Sequence, residues 1–80
     1  MPKTKKPPDI HKVLISNIKS LCDERGITLE EQRVVMRMSQ ATYFRRKANP
    51  ETFTLGELER MATRLSVTVQ QLLTKREFMI

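Results

Sequence analysis

Two helix-start signals lie close together in the middle of the chain and leave room for only a turn between the helices that they begin. Thr28 is followed three residues later by Glu31, the pattern of a capping box, so a helix is predicted to begin at the next residue. Ser39 is a second N-cap candidate, and residues 40–47 contain neither Gly nor Pro. Since residues 36–38 allow a turn of about three or four residues, the spacing predicts a helix-turn-helix motif.

The same start signal recurs in the second half of the chain. Thr54 precedes Glu57 by three residues, and Thr68 stands in the same relation to Gln71. The apolar residues at helical spacing are Ile10, Val13, Leu14, Ile18, Leu21 and Cys22 in the first helix, Leu55, Leu58, Met61, Ala62 and Leu65 in the fourth, and Leu72 and Leu73 in the fifth. No segment alternates apolar and polar residues over enough length to predict a strand. The sequence therefore predicts an all-α fold of five helices with short connections.

The length of 80 residues allows one small domain with a single modest core. Asp9 is a candidate N-cap for the first helix, and the helical domain is predicted over residues 9–74. Residues 1–8 contain three Lys and three Pro, which predicts a flexible basic arm. Such an arm either solubilises the domain or lies along a phosphate backbone or in a groove. The tail, residues 75–80, ends on large apolar residues that either fold back on the core or form half of a dimer contact.

The sequence argues against several classes of protein. Cys22 and His11 are single residues of their types, which excludes an internal disulfide and a zinc site, and no cofactor is predicted. The apolar runs are far shorter than the ~20 residues of a membrane span, and the basic N-terminus lacks the apolar block of a signal peptide. We therefore expect a cytoplasmic protein in a reducing compartment. No nucleophile, acid and base form a catalytic constellation, so an enzyme is not expected.

The net charge of +6 is concentrated in two stretches. In residues 1–12 four Lys stand against one Asp, and residues 33–47 contain five basic residues and no acidic one. Residues 13–32 are net acidic, and the charges of residues 48–80 cancel. A solvated helix face usually mixes both signs, so this distribution predicts a polyanionic partner.

Several of these segments resemble a known family. The similar segments are Gly26-Ile27-Thr28, Glu30-Glu31, Met38-Ser39-Gln40-Ala41-Thr42, Phe53-Thr54-Leu55 and Leu65-Ser66-Val67. Over residues 10–74 the chain resembles the lambda repressor/Cro-like helix-turn-helix family, in the version found in small regulators of phages and related mobile elements. The resemblance implies a repressor-like transcription regulator that binds double-stranded DNA in a bacterial or phage-infected cell. It also implies a homodimer on a two-fold operator.

The resemblance further implies which residues contact DNA. The positions that match contacts with base edges are Gln40, Ala41, Phe44 and Arg45. The positions that match phosphate contacts are Ser39, Arg46, Lys47 and Asn49, and the arm adds Lys3, Lys5 and Lys6. Tyr43 matches a buried position that fixes the second helix of the motif to the core.

Three residues depart from the family pattern. Leu29 stands where a Gln usually bonds a phosphate, and Arg33 stands where a small residue usually lets the two helices pack closely. Arg37 replaces the Gly of the turn. A turn of the same shape therefore requires a left-handed Arg, at a cost of about 1 kcal/mol.

A second interpretation belongs to another functional class. The chain would then be a protein-interaction module, such as an antirepressor that binds a related helix-turn-helix repressor. Leu29, Arg33 and the pair Val34-Val35 fit such a contact better than they fit DNA. RNA binding is a third interpretation, but the chain lacks the aromatic residues on a sheet that stack on bases.

Overall fold

The computed structural model describes residues 9–75, and this part of the chain folds into five α-helices and one 3₁₀ turn, without a β-strand. In chain order the elements are α1 (Ile10–Arg25), α2 (Leu29–Met36), α3 (Gln40–Ala48), the 3₁₀ turn (Pro50–Thr52), α4 (Leu55–Leu65) and α5 (Val69–Leu72). The prediction of an all-α domain with five helices is confirmed. The predicted arm, residues 1–8, and residues 76–80 of the tail lie outside the described residues. None of the helices within 9–75 is long and apolar enough to cross a bilayer.

Each helix begins at the N-cap residue that the sequence predicts. Among the five caps, Thr54 and Thr68 form complete capping boxes, in which the side chains of Glu57 and Gln71 return to the backbone N–H of the cap. At Thr28 only the first half forms: its hydroxyl accepts from the backbone N–H of Glu31 at 3.2 Å. The Glu31 carboxylate instead accepts a hydrogen bond from Arg64 Nε at 2.7 Å, which joins α2 to α4.

Three helices end on a residue in the left-handed conformation, which turns the chain sharply. Gly26 closes α1 with φ 66°, Arg37 closes α2 with φ 59°, and Ser66 closes α4 with φ 58°. The left-handed Arg37 expected from the sequence is therefore present. Residues 37–39 alone connect α2 to α3, so the second helix starts immediately after the turn.

The core combines side chains from all five helices with Ile27 and Phe53 of the connecting segments. Its buried apolar side chains are Val13, Leu14, Ile18, Leu21, Cys22, Ile27, Met36, Tyr43, Phe53, Leu58, Met61, Ala62, Leu65 and Leu72. The predicted apolar stripes are buried except that Ile10 is 46% and Leu55 is 63% exposed and Leu73 is only partly buried. Ile10 and Leu55 are each the first residue of their helix, and no element within residues 9–75 covers either side chain.

One buried polar side chain fastens the last helix to the first. Asn17 is 3% exposed, and its Nδ2 donates to the carbonyls of Leu72 and Thr74, both at 2.8 Å. Because α5 ends here, no following turn of helix supplies backbone N–H donors to these carbonyls. Asn17 donates to them instead, so these carbonyls are not left without a hydrogen bond. The side chain therefore fixes the position of α5 against α1.

Candidate nucleic-acid interface

The buried side of α3 is held by a chain of hydrogen bonds that starts at Tyr43. Its side chain is 1% exposed, and its hydroxyl donates to Gln32 Oε1 at 2.6 Å. Gln32 Nε2 in turn donates to the carbonyl of Ile27 at 3.1 Å. The Tyr43 ring also meets Phe53 edge to face, with centroids 6.4 Å apart. Burial also raises the pKa of Tyr43, so the phenol keeps its proton, while the hydrogen bond and the ring contact hold one side of α3 on the core.

The opposite side of α3 faces solvent. Gln40, Ala41, Phe44 and Arg45 are all exposed, and their spacing along the helix places them on one face. The Phe44 ring is 44% exposed although it is a large aromatic side chain. The Arg45 guanidinium has no hydrogen bond or ion pair to any residue between 9 and 75, so it is free to bind a ligand. We call these four residues the outer face of α3.

The residues predicted to contact phosphate already have partners inside the protein. Ser39 Oγ accepts from the backbone N–H of Thr42 at 3.2 Å, which caps α3. Asn49 Nδ2 donates to the carbonyl of Arg45 at 3.2 Å. Lys47 Nζ lies 5.3 Å from the centroid of the Tyr43 ring, within the range of a cation–π interaction. Lys3, Lys5 and Lys6 lie outside the described residues.

Arg46 has the most extensive contacts of this set. Its Nη1 lies 3.2 Å from Glu57 Oε1, and it also donates to the carbonyl of Thr52. The Glu57 side chain is only 12% exposed, so the ion pair is partly shielded from water. Arg46 therefore joins α3 to the 3₁₀ turn and to α4, and its guanidinium has less freedom to reach a phosphate than that of Arg45.

The structure adds Gln32 to the residues that shape this interface. The family resemblance implies that Tyr43 anchors α3, but it does not indicate the side chain that receives the Tyr43 hydrogen bond, eleven residues earlier. A single Gln on a helix is a common surface residue, and only the folded arrangement shows that Gln32 is 6% exposed. No local sequence signal distinguishes it.

Two of the three residues that depart from the pattern of the resembled family, Leu29 and Arg33, lie beside the outer face of α3. Leu29 is 48% exposed, and with Phe44 and Gln40 it lines a small cleft between α2 and α3. Arg33 pairs with Glu30 along α2, so its charge is partly neutralised at the rim of that cleft. An apolar patch from Leu29 and Phe44 thus borders the polar side chains of the outer face.

Comparison with known proteins assigns no family: no family model matches the chain, and neither a curated protein nor a solved structure matches it.

Within residues 9–75, the His, Cys, Asp and Glu side chains form no group of three or more that could hold a metal ion. Cys22 is fully buried, and this burial raises the pKa of its thiol, which makes it unreactive.

Proposed function

We propose that the chain is a sequence-specific, double-strand DNA-binding transcriptional regulator of the repressor type, built on a lambda repressor-like helix-turn-helix. In this proposal α3 lies in the major groove. The observation that carries it is the two-sided character of α3. Tyr43 fixes one side to the core, while the other side exposes Gln40, Phe44 and an unpaired Arg45.

The chemistry of the outer face matches the edges of base pairs. Arg45 has the two parallel N–H donors that bond O6 and N7 of guanine, and Gln40 has the donor and acceptor that adenine requires. Phe44 and Ala41 offer apolar surface for the methyl group of thymine. Each good bidentate contact contributes about 1–3 kcal/mol of discrimination against the wrong base. Two such contacts on one rigid helix are enough for a sequence preference.

The basic residues around α3 would supply affinity that does not depend on sequence. Lys47 and the lysines of the arm would neutralise phosphates and release counterions, so binding would weaken as salt rises. Ser39 and Asn49 would add contacts through their exposed polar atoms. Arg46 would act mainly as a positioning residue, because Glu57 and the carbonyl of Thr52 already occupy its guanidinium.

A homodimer is part of the proposal. One copy of the outer face covers only a few base pairs, which limits the specificity of a single chain. Two copies related by a two-fold axis would read half-sites about 34 Å apart, one turn of the duplex. This arrangement predicts a palindromic site and a binding curve that depends on protein dimerisation.

The proposal is tested by titrating labelled random-sequence duplex with the purified chain at low salt and following the fluorescence anisotropy. We expect saturable binding at low salt that weakens steeply as salt is added, to a dissociation constant of about 10⁻⁴–10⁻⁶ M at physiological salt. Arg25→Gln, at the end of α1, removes one charge away from α3 and should change the affinity little. Absence of binding at low salt would contradict the proposal.

The second candidate function is a protein-interaction module such as an antirepressor. The observation that favours it is the exposure of Leu29 and Val34, which are 48% and 56% exposed on α2. Two large apolar side chains left exposed on one eight-residue helix are available for contact with a protein partner. The same low-salt titration separates the two functions, because only a nucleic-acid binder raises the fluorescence anisotropy of the labelled duplex.

A further inference from the structure

A groove lies between α2 and α4, away from the outer face of α3. It has a volume of about 640 Å³ and is open to solvent along its length. Val34 and Val35 line it on the α2 side, Arg37 lines it at the end of α2, and Gly56 and Arg60 line it on α4. We call it the α2–α4 groove. None of its lining residues has a role in the proposed DNA contact, so an inference about it is independent of DNA binding.

The floor of the groove is apolar and uncovered. Val34 is 56% exposed, and Val35 packs against the edge of the core while leaving part of its surface in the groove. Gly56 contributes no side chain, and a Cβ at that position would meet only the end of Arg60, at 3.8 Å. The side of α2 that packs on the core is formed by Gln32 and Met36, which are its buried residues, so the surface of the valines in the groove is not part of the core. The exposed valines are thus available to a partner.

The rim of the groove carries an excess of positive charge. Arg37 is exposed, and its guanidinium has no hydrogen bond or ion pair within residues 9–75. Arg60 Nη2 donates to the carbonyl of Met36 at 3.4 Å, but its Nε is buried and has no partner among the described residues. Arg64 is paired with Glu31, and Glu59 is the single carboxylate in the lining. The groove therefore offers two guanidinium groups that still lack an anion.

The combination of apolar floor and basic rim narrows the choice of occupant. A second copy docked by two-fold symmetry would bring Arg37 and Arg60 of one chain towards the same residues of the other, and like charges in an interface are unfavourable. A phosphate backbone would satisfy the arginines but would leave Val34 and Val35 uncovered. A helix with apolar residues on one side and carboxylates beside them satisfies both features.

We propose that the α2–α4 groove binds an acidic amphipathic helix of a protein partner. The apolar side chains of that helix cover Val34 and Val35, and its carboxylates pair with Arg37 and Arg60. Another protein would bind this domain through the groove, and the outer face of α3 would remain free for the proposed contact with DNA.

The experiment uses a fluorescein-labelled synthetic peptide of about 18 residues, with Leu on one helical face and Glu on the other. Its binding to the full chain is followed by fluorescence anisotropy at about 0.15 M salt. Arg37→Gln removes rim charge, and Gly56→Leu fills the groove without changing charge. Arg45→Gln on α3 is the control, because it removes the same charge as Arg37→Gln at another surface. Thermal unfolding of each variant verifies that it folds.

We expect saturable binding to the wild type, weakened at least about fivefold by Arg37→Gln and by Gly56→Leu and less than about twofold by Arg45→Gln. If Gly56→Leu unfolds the domain, Val34→Ser replaces it and should weaken binding to a similar degree. Equal weakening by Arg37→Gln and Arg45→Gln would overturn the proposal, since it would show attraction to net charge alone. Failure to saturate would also overturn it, as would concentration-dependent dimerisation that Gly56→Leu abolishes, which would make a second copy the occupant.

Discussion

Arg37 ends α2 in a conformation that a side chain disfavours. Its φ of 59° places Cβ close to the backbone, which costs about 1–2 kcal/mol for a residue other than glycine. The residue nevertheless forms the turn that sets the start of α3, and its backbone N–H donates to the carbonyl of Val34 at 3.0 Å. The strain is therefore local and is held in place by the hydrogen bonds of the helix end.

Arg37→Gly should stabilise the fold by about 0.5–1 kcal/mol, because glycine adopts this conformation without strain. The larger conformational entropy of glycine in the unfolded state offsets only part of this gain. The measurement is the free energy of unfolding in urea. Arg45→Gly is the matched control, since it places glycine inside α3 and should destabilise the domain by about 0.5–1 kcal/mol. The same direction of change in both variants would contradict the assignment of strain to Arg37.

Burial of the Tyr43 phenol gives the stability of the domain a dependence on high pH. Burial raises the pKa of Tyr43 in the folded state above its ordinary value of 10.0. The stabilising contribution is therefore complete below about pH 10 and is lost as pH rises from there towards the folded-state pKa, by about 1 kcal/mol per pH unit. Urea unfolding at about pH 8 and pH 11 should show this loss, and Tyr43→Phe should show a smaller one. An equal loss in both proteins would show that Tyr43 is not the titrating group.

At the scale of single residues, the left-handed Arg37 and the buried Tyr43 are what the family resemblance implies at these positions, and both are present. Asn17 and Gln32 are buried polar residues that the sequence does not reveal. Their partners lie 55 and 11 residues away, respectively, and only the folded chain brings them together.

At the scale of helices, neighbouring arginines on α3 have different environments. Arg46 makes a partly buried ion pair with Glu57, whereas the guanidinium of Arg45 has no partner within the described residues. The two side chains point to different sides of the helix, as successive residues of a helix do. One of them holds α3 on the domain, and the other is available for a base.

Arg46→Gln should lower the free energy of unfolding by about 1–2 kcal/mol, because the shielded carboxylate of Glu57 loses a charged partner. Arg45→Gln should change it by less than about 0.5 kcal/mol, as is usual for an exposed side chain. The contrast reverses for DNA affinity, which Arg45→Gln should weaken more once both proteins are folded. Equal effects of the two variants on stability would refute this division of roles.

The starts of the helices are the most predictable elements of the fold. All five N-caps lie where short-range signals place them, because a cap depends only on residues within one turn. The extent of burial is less predictable at the helix ends. Leu55 continues the apolar stripe of α4 in the sequence, yet it is 63% exposed, and no element of the described part of the chain packs over it. Periodicity predicts which side of a helix is buried, but it does not predict how far along the helix other elements pack against that side.

At the scale of the whole molecule, charge is separated along the chain. Basic residues dominate 1–12 and 33–47, and the +6 net charge arises from these two stretches. Three basic residues of the second stretch, Arg45, Arg46 and Lys47, lie on α3 with the proposed base contacts. Such clustering raises the rate and affinity of DNA association without fixing the sequence that is bound.

Deletion of residues 1–8 should therefore reduce affinity without changing the preferred site. Since the segment carries three lysines, the slope of log affinity against log salt should flatten by up to about 3. The measurement is a salt titration of binding to one selected duplex, with the full chain in parallel. A changed consensus sequence in the shortened protein would instead assign base recognition to the arm.

The most direct test of the outer face of α3 is a selection of bound duplexes from a random pool at moderate salt, with wild type and Arg45→Ala side by side. We expect the wild type to enrich one palindromic site with half-sites about one helical turn apart. Arg45→Ala should enrich the same site but should lose the preference for G·C at one position of each half-site. The discrimination against other base pairs at that position should fall by about 1–3 kcal/mol. Enrichment of no sequence by the wild type, or of an identical consensus by both proteins, would contradict base recognition by α3.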